Sequence, residues 1–365
     1  MRVLLVAPTL ERAGAERIVV DLARHLHGRG HEVVVAAPAG PLGDELDAVE
    51  VGRHPLADRG RSPIGAARAA LAVAGAVRAL RPTVVHAHNP KMTAVARAAL
   101  ALGPRDRPRL LATFHGGDPR DDRAAARLLR RADEIVCVED DLRTRLVAHG
   151  CPRDRTRVVL NGVAVPAPDE PLRRCLEAEL GLDPATPVVV TVGSLVAGKA
   201  VDRVIRAARL VVEAVPEAAI LVVGDGPLRG ELEALAATVV GPGRIRFLGA
   251  RRDVPTLLQR ASVAVSTSRR EGLSLAALEA LAAGTPLVAP DVGGMRRLLG
   301  SGAGVLVDDT EPATMAAALV AVLRAPDEGR AMGEIGRELV TARHGRGRML
   351  DEYEAFYGEL SRGAS

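Results

Sequence analysis

Glu271 and Glu279, eight positions apart, are the residues of this chain with the most chemistry to offer. Between them, Gly272 lets backbone approach a ligand closely. The N–H groups of Leu273, Ser274 and Leu275 open a helix there and form a natural site for an anion. Eight helical positions span about 12 Å, and Glu271 precedes the helix, so the separation is similar or shorter. Carboxylates that far apart can hold the two ends of an extended ligand and need not act on one bond. On spacing alone, a surface carboxylate plus a helix-face carboxylate is the commoner arrangement. The surroundings of Glu279 argue for more: it follows Ala276, Ala277 and Leu278 and precedes a run of Ala and Leu. A carboxylate in so apolar a helix needs a partner.

These residues need a frame. Val263 to Val265 reads as a short strand, Ser266 to Arg270 as a turn, Ser274 to Ala283 as a helix and Leu287 to Ala289 as a second strand. Together they make one β-α-β unit. The same alternation runs through the whole chain. Strands are predicted at Arg2 to Ala7, His31 to Ala37, Thr83 to Ala87, Arg109 to Thr113, Glu134 to Val138 and Arg157 to Leu160. After a proline-rich stretch it restarts with strands at Val188 to Val192, Ala219 to Val223, Ile245 to Leu248, Val263 to Val265, Leu287 to Ala289 and Gly304 to Val307. Repeated strand-helix-strand units imply two α/β, Rossmann-like, doubly wound parallel sheets that bind at the carboxyl ends of their strands.

Several of those strand ends carry further candidates. Thr9 to Glu16 is a loop running into a helix, with Gly14 at the turn. His86, His88 and Asn89 end one strand, and His115, Gly116, Gly117 and Asp118 end another. A lone histidine is usually structural, and a loop Asp often only caps the next helix. In the second half, Val192 to Lys199 is strand, loop and helix start. A lysine at a helix N-terminus opposes the macrodipole unless an anion sits there too. Gly224 to Gly230 falls one place short of the dinucleotide fingerprint, and Pro227 suits a first helical turn.

The E-x7-E pair followed by G-T-P-L-V-A-P-D-V-G-G resembles the retaining glycosyltransferases of family 4, which adopt the two-lobed GT-B fold. Further pieces of the family pattern appear in order from Met1 to the last helix. The resemblance implies a metal-independent, hexosyltransferase-type enzyme with a central cleft, no cofactor and a nucleotide-sugar donor, a UDP-sugar foremost. The acceptor, a small molecule, natural product, lipid or glycan, is not legible. The resemblance gives Glu279 the ribose and Glu271 the sugar hydroxyls. Lys199 and the helix start after Gly272 take the diphosphate, and His115 takes the sugar near the reacting carbon. Gly14 and Gly226 fall in donor-side loops, and Leu248 to Arg251 lies where relatives hold the base through backbone groups.

Four positions depart from that pattern: Ala13 and Ala200 stand where glycines are usual, Ser194 where an arginine is, and Arg297 where a glutamate is. Arg269 and Arg270, directly before Glu271, are the nearest spare cations; a solvated charge pair is the plainer reading, a substitute for the missing arginine the other, with Arg270 the better placed. An epimerase of the same fold and a non-catalytic sugar-nucleotide-binding protein are the alternatives; the lack of a cofactor-lysine segment argues against a phosphorylase.

The implied organisation is residues 1–165 as the acceptor-side domain, 166–186 as a linker, 187–344 as the nucleotide-sugar domain and 345–365 as a helix returning to the first domain. Chain length, 365 residues, suits two domains. Lys plus Arg exceed Asp plus Glu by only four, and five aromatic residues leave nothing for base stacking, so nucleic acid is not an expected partner. Arg123, Arg127, Arg130 and Arg131 share a helical face; a solvated face diluted by Asp121 and Asp122 is the plainer reading, a weak peripheral membrane contact the other. The three cysteines form no metal-like or C-x-x-C pattern. No leader and no apolar stretch of about 20 residues is apparent, so a cytoplasmic location is expected. Residues 39–61 match nothing informative, and oligomeric state is not legible.

Overall fold

The computed structural model describes residues 1–57, 62–103, 107–308 and 311–362. It divides into two compact units, Met1–Asn161 with Gly347–Ser365, and Gly162–Arg346.

The first unit is built on a seven-stranded sheet. Its strands are β1 (Arg2–Val6), β2 (Glu32–Ala37), β3 (Gly52–Pro55), β4 (Val84–Ala87), β5 (Arg109–Phe114), β6 (Glu134–Cys137) and β7 (Thr156–Val158). The order is β3-β2-β1-β4-β5-β6-β7, with every pairing parallel. Short runs of Val, Leu, Ile and Ala form the central strands because both faces are covered by helices; Val3 to Val6 are fully buried. Strand β3, Gly-Arg-His-Pro, is absent from the sequence reading because it has no apolar run. It lies on the sheet edge, where pairing on one side suffices. Residues 58–61 of the uninformative 39–61 stretch lie outside the described residues.

Helix Pro63–Leu80 is long and apolar enough by length and composition to cross a membrane, although Arg68 and Arg78 interrupt its apolar run. Eight of its residues, including Val73, Val77 and Leu80, are buried, and it packs on β1, β2 and helix Pro90–Ala101. That is the behaviour of a core helix. The basic face also changes. Helix Asp122–Leu129 ends before Arg130 and Arg131. Asp122 is buried and forms a bidentate pair with Arg145 at 2.6 and 2.7 Å, so it does not dilute the surface charge.

The last helix, Arg346–Arg362, buries Tyr353, Phe356 and Tyr357 in the first unit. With no Trp in the chain, these rings supply much of the large side-chain volume there. The Tyr357 hydroxyl meets His86 Nδ1 at 2.6 Å, and the Tyr353 hydroxyl lies 3.2 Å from Thr113 Oγ1. Glu354 takes His25 Nε2 at 2.8 Å, His31 Nε2 at 3.1 Å and Arg29 Nε at 3.2 Å.

The second unit repeats the plan with six parallel strands, β8 (Val188–Val192), β9 (Ala219–Val223), β10 (Ile245–Gly249), β11 (Val263–Val265), β12 (Leu287–Pro290) and β13 (Gly304–Val307). Their order is β10-β9-β8-β11-β12-β13. Val189, Ile205, Val211, Ile220, Val263, Met315 and Leu319 are part of its core. In both sheets the order reverses once, between β1 and β4 and between β8 and β11. Those are the points where such sheets leave a crevice at their carboxyl ends.

Residues 166–186, expected as a linker, belong to the second unit. Helix Glu170–Glu179 is held there by Glu177, which accepts from Arg260 Nε at 2.6 Å, both residues being buried. The Arg260 guanidinium also donates to the carbonyls of Asp183 and Thr186, at 2.8 and 3.1 Å. Prolines in this stretch stiffen a docked segment.

Candidate functional site

In the second unit, the segments leaving β8 and β11 meet at the reversal of strand order. Lys199 and Glu271, 72 positions apart, form an ion pair there. Ser268 donates its hydroxyl to the same Glu271 oxygen at 2.7 Å. Backbone contacts hold the two loops together: Arg269 N donates to the Gly198 carbonyl at 2.9 Å, and the Thr267 hydroxyl to those of Lys199 and Ala200 at 3.1 and 3.0 Å. The Lys199 stem passes beside Gly193. A cavity of about 20 Å³ lies by the pair, lined by Ser266, Ser274 and Ala277 among others, roughly the room one water needs.

Lys199 therefore does have an anion beside it, but one supplied by the chain itself. It also sits differently from expectation. Ala197–Lys199 is a 3-10 turn, and the following helix begins at Val201. Ala200 between them is left-handed, with φ 49°. Glycine would hold that conformation without strain, whereas a residue with a Cβ is disfavoured by about 1–2 kcal/mol. The loop carries that cost beside its one lysine.

Glu271 is 13% exposed and rests on a turn fixed from behind. Gly293 has φ 60°, and a Cβ there would collide with the carbonyls of Gly272 and Glu271. Gly294 N donates to the Gly272 carbonyl at 3.3 Å. The two glycines after Asp291 thus hold the Glu271–Gly272 backbone in place. Ser274 is the N-cap of helix Leu275–Ala282, its hydroxyl accepting from Ala277 N at 3.5 Å. Leu273 is buried, and Leu275 stands in the first turn. Glu279 lies one turn beyond Leu275, half-buried and not left without a partner.

Other residues singled out in the sequence are placed less directly. Ser194 is half-buried in the β8 loop, and its carbonyl accepts from Val196 N at 2.9 Å. Gly226 packs against that loop, where a Cβ would strike the Leu195 backbone. Pro227 stands in a turn ahead of helix Arg229–Val239, so it is not in the first helical turn. Leu248 forms a register shift at the end of β10, a device that re-aims a strand end. The Arg251 side chain is committed elsewhere: Asp253 takes it at 2.7 Å and Glu179 at 2.7 and 2.9 Å. Hydrogen bonds to Asp253, then to Glu179, raise its pKa further. Any role of Arg251 toward a ligand falls to its backbone. Arg269 and Arg270 are exposed beside Glu271, and Arg270 has a partner of its own, as has Arg297.

The first unit holds a separate cluster. Gly14 opens helix Gly14–Gly28 after β1. His86 is within β4, and His88 just beyond it donates its backbone N–H to the Val6 carbonyl at 3.0 Å. His115 follows β5. The His86 and His88 rings are 3.9 Å apart by centroid, and His88 Nδ1 lies 3.4 Å from His115 Nε2. Burial pushes the His115 pKa down to about 4. Burial first, then neighbouring histidines, holds His86 and His88 well below the usual range. Asn89 caps helix Pro90–Ala101 through Met92 N at 2.7 Å, and Asp118 caps the turn Pro119–Asp121. Sequence reasoning did not single out Ser268, Thr267 or Thr113; a serine or threonine at the end of a strand was the available signal.

The family model described as "Glycosyltransferase Family 4" matches residues 12–165, and that described as "Glycosyl transferases group 1" matches residues 174–339. The chain is 33% identical over 264 residues to a D-inositol 3-phosphate glycosyltransferase of Nocardia farcinica; the match covers 69% of this chain and 56% of that protein. It is 30% identical to a GDP-mannose-dependent alpha-mannosyltransferase of Mycobacterium tuberculosis, covering 78% of this chain and 77% of the relative. Among solved structures, HepE of Anabaena in complex with UDP-glucose superposes with a TM-score of 0.84 at 20% identity, over 98% of this chain and 100% of that one. Such a likeness speaks to the fold, two Rossmann-like units as in GT-B proteins. By these family matches and the identity to the mycobacterial relative, the chain belongs to glycosyltransferase family 4.

Proposed function

We propose that this protein is a retaining glycosyltransferase that moves a sugar from a nucleoside-diphosphate sugar to a hydroxyl of an acceptor. The observation that carries the reading is the Lys199–Glu271 pair at the carboxyl ends of β8 and β11, beside the start of helix Leu275–Ala282. A diphosphate entering there would take Lys199 and the first-turn N–H groups, whose partial positive charge favours an anion. Glu271, released from the lysine, would turn to the hydroxyls of the transferred sugar, and Glu279 would accept from the ribose. His115 would meet the sugar. The bond from the anomeric carbon to phosphate then breaks with its negative charge already compensated, and no protein nucleophile is required.

A UDP-sugar is the preferred donor in this reading. HepE is known in complex with UDP-glucose and the mycobacterial relative is a GDP-mannose-dependent enzyme, so both bases belong in any test. Metal independence and a cytoplasmic site of action are part of the same proposal. Ser194 favours a second reading, a sugar-nucleotide binder without turnover, because it leaves the phosphates one cation short. Arg270 is the substitute we favour.

The ribose assignment is tested by replacing Glu279 with Gln. Nucleoside diphosphate binding should weaken by about 1.5–3 kcal/mol, the range for a hydrogen bond to a charged group, while the melting temperature stays near that of the parent. Unaltered affinity by calorimetry would remove Glu279 from the site.

A further inference from the structure

His86, His88 and His115 form a line of rings in the first unit, and their hydrogen bonding is uneven. His86 is satisfied at both nitrogens, by the Tyr357 hydroxyl at Nδ1 and by the Thr113 hydroxyl at Nε2, 2.6 and 2.7 Å away. Each hydroxyl can donate or accept, so His86 is served in either tautomer. Among the described residues, the rings of His88 and His115 hydrogen-bond only to each other. That bond joins His88 Nδ1 to His115 Nε2, while His88 Nε2 and His115 Nδ1 are buried with no hydrogen-bond partner among those residues.

Counting protons narrows the states. Two neutral imidazoles carry two ring protons on four nitrogens. Their mutual hydrogen bond uses one proton and one lone pair, so one N–H and one lone pair remain, on the two unpartnered nitrogens. A buried N–H without an acceptor costs more than a bare acceptor. His88 is 1% exposed, whereas His115 is the ring nearer solvent. Both nitrogens are buried, but His115 belongs to the half-buried loop after β5, so the remaining N–H is placed on His115 Nδ1, which a small shift of that loop would bring to an incoming oxygen, and the bare lone pair on His88 Nε2.

We propose that His88 is a positioning residue: it donates its Nδ1–H to His115 Nε2 and thereby fixes His115 as the tautomer that offers Nδ1–H to an oxygen of the donor sugar. His88 is itself held by the His86 ring, tilted against it at 3.9 Å between centroids, and by its backbone bond to β1. The sugar part of the statement rests on the proposed transferase reading; the tautomer part does not.

The experiment has two arms. Long-range nitrogen–proton NMR of the full chain at pH 7 should show His88 and His115 both neutral and both protonated at Nδ1. A His115 ring protonated at Nε2, or charged, would overturn the proposal whatever the activity. In the kinetic arm, His88→Leu should lower kcat/KM for the donor sugar about tenfold, the effect of one lost hydrogen bond, with the nucleoside diphosphate Kd unchanged. His88→Asn, whose amide can donate from near the Nδ1 position, should recover most of that loss. In a His115→Leu background His88→Leu should have no further effect, because the two act through one contact. Equal losses in the Leu and Asn variants, or additive losses with His115→Leu, would reduce His88 to a packing residue. A wild-type protein that turns over no donor would sink the transferase reading, and the spectrum would still decide the tautomers.

Discussion

Between pH 7 and pH 5 the chain is expected to lose about 2 kcal/mol of stability through His115, with His86 and His88 adding to the loss in the same direction. The cause is the row of rings in the first unit. In the unfolded chain His86, His88 and His115 titrate near 6.5. Folded, His115 is pushed down to about 4 by burial, and His86 and His88 are held well below 6.5 by burial and by each other. The sign follows: below 6.5 the unfolded chain takes up protons that the folded chain refuses. The stability these groups allow is complete above pH 6.5 and falls as pH drops through 6.5 toward the folded values. Carboxylates held low by arginine, such as Glu170 and Glu179, act at lower pH, while Glu134, raised by burial, works against the histidines as pH falls, so Glu134→Gln serves as the background. Urea unfolding from pH 7 to pH 5 measures the slope, and His88→Asn should make it shallower. A flat profile would mean that the rings are charged, or solvated, in the folded chain.

Substitutions at the two partners of the ion pair are expected to move nucleotide affinity in opposite directions. Lys199→Ala removes the cation proposed for the diphosphate, and binding of UDP or GDP should weaken by roughly tenfold to a hundredfold, the value of a charge-assisted hydrogen bond of about 1.5–3 kcal/mol. Glu271→Gln removes the carboxylate that now occupies Lys199. The nucleotide no longer has to displace an internal anion, so affinity should hold or rise. Sugar transfer by Glu271→Gln should nevertheless fall by about a hundredfold or more, because the hydroxyl contacts proposed for Glu271 are lost. Weaker nucleotide binding in both variants would show that the pair is structural.

Much of the fold was legible because the strands are short, apolar and regularly spaced; twelve of the thirteen are where the alternation predicts. The exception, β3, reads as a turn because an edge strand of Gly, Arg, His and Pro carries no hydrophobic pattern. The segment 166–186 looked like a linker for a related reason: its prolines are visible in the sequence, while the Glu177–Arg260 pair that docks it joins residues 83 positions apart. The site was legible as residue types and as positions at strand ends. Its connections were not. Nothing local says that Lys199 will meet Glu271, that Arg251 will spend its guanidinium on Glu179 and Asp253, or that His88 will reach His115. Each of these depends on which strands become neighbours, and strand order is set by the whole sheet.

The central claim is tested most directly by incubating the purified protein with a panel of UDP- and GDP-sugars and a mixed set of hydroxyl acceptors, with and without EDTA, and following donor and products by mass spectrometry. The account predicts that at least one donor is consumed, that nucleoside diphosphate appears with an acceptor heavier by one sugar residue, and that chelator leaves the rate unaltered. Turnover that stops in EDTA and returns with Mg²⁺ or Mn²⁺ would contradict metal independence. Nucleoside diphosphate binding without consumption of any donor would contradict the transferase itself and leave a sugar-nucleotide-binding protein in its place.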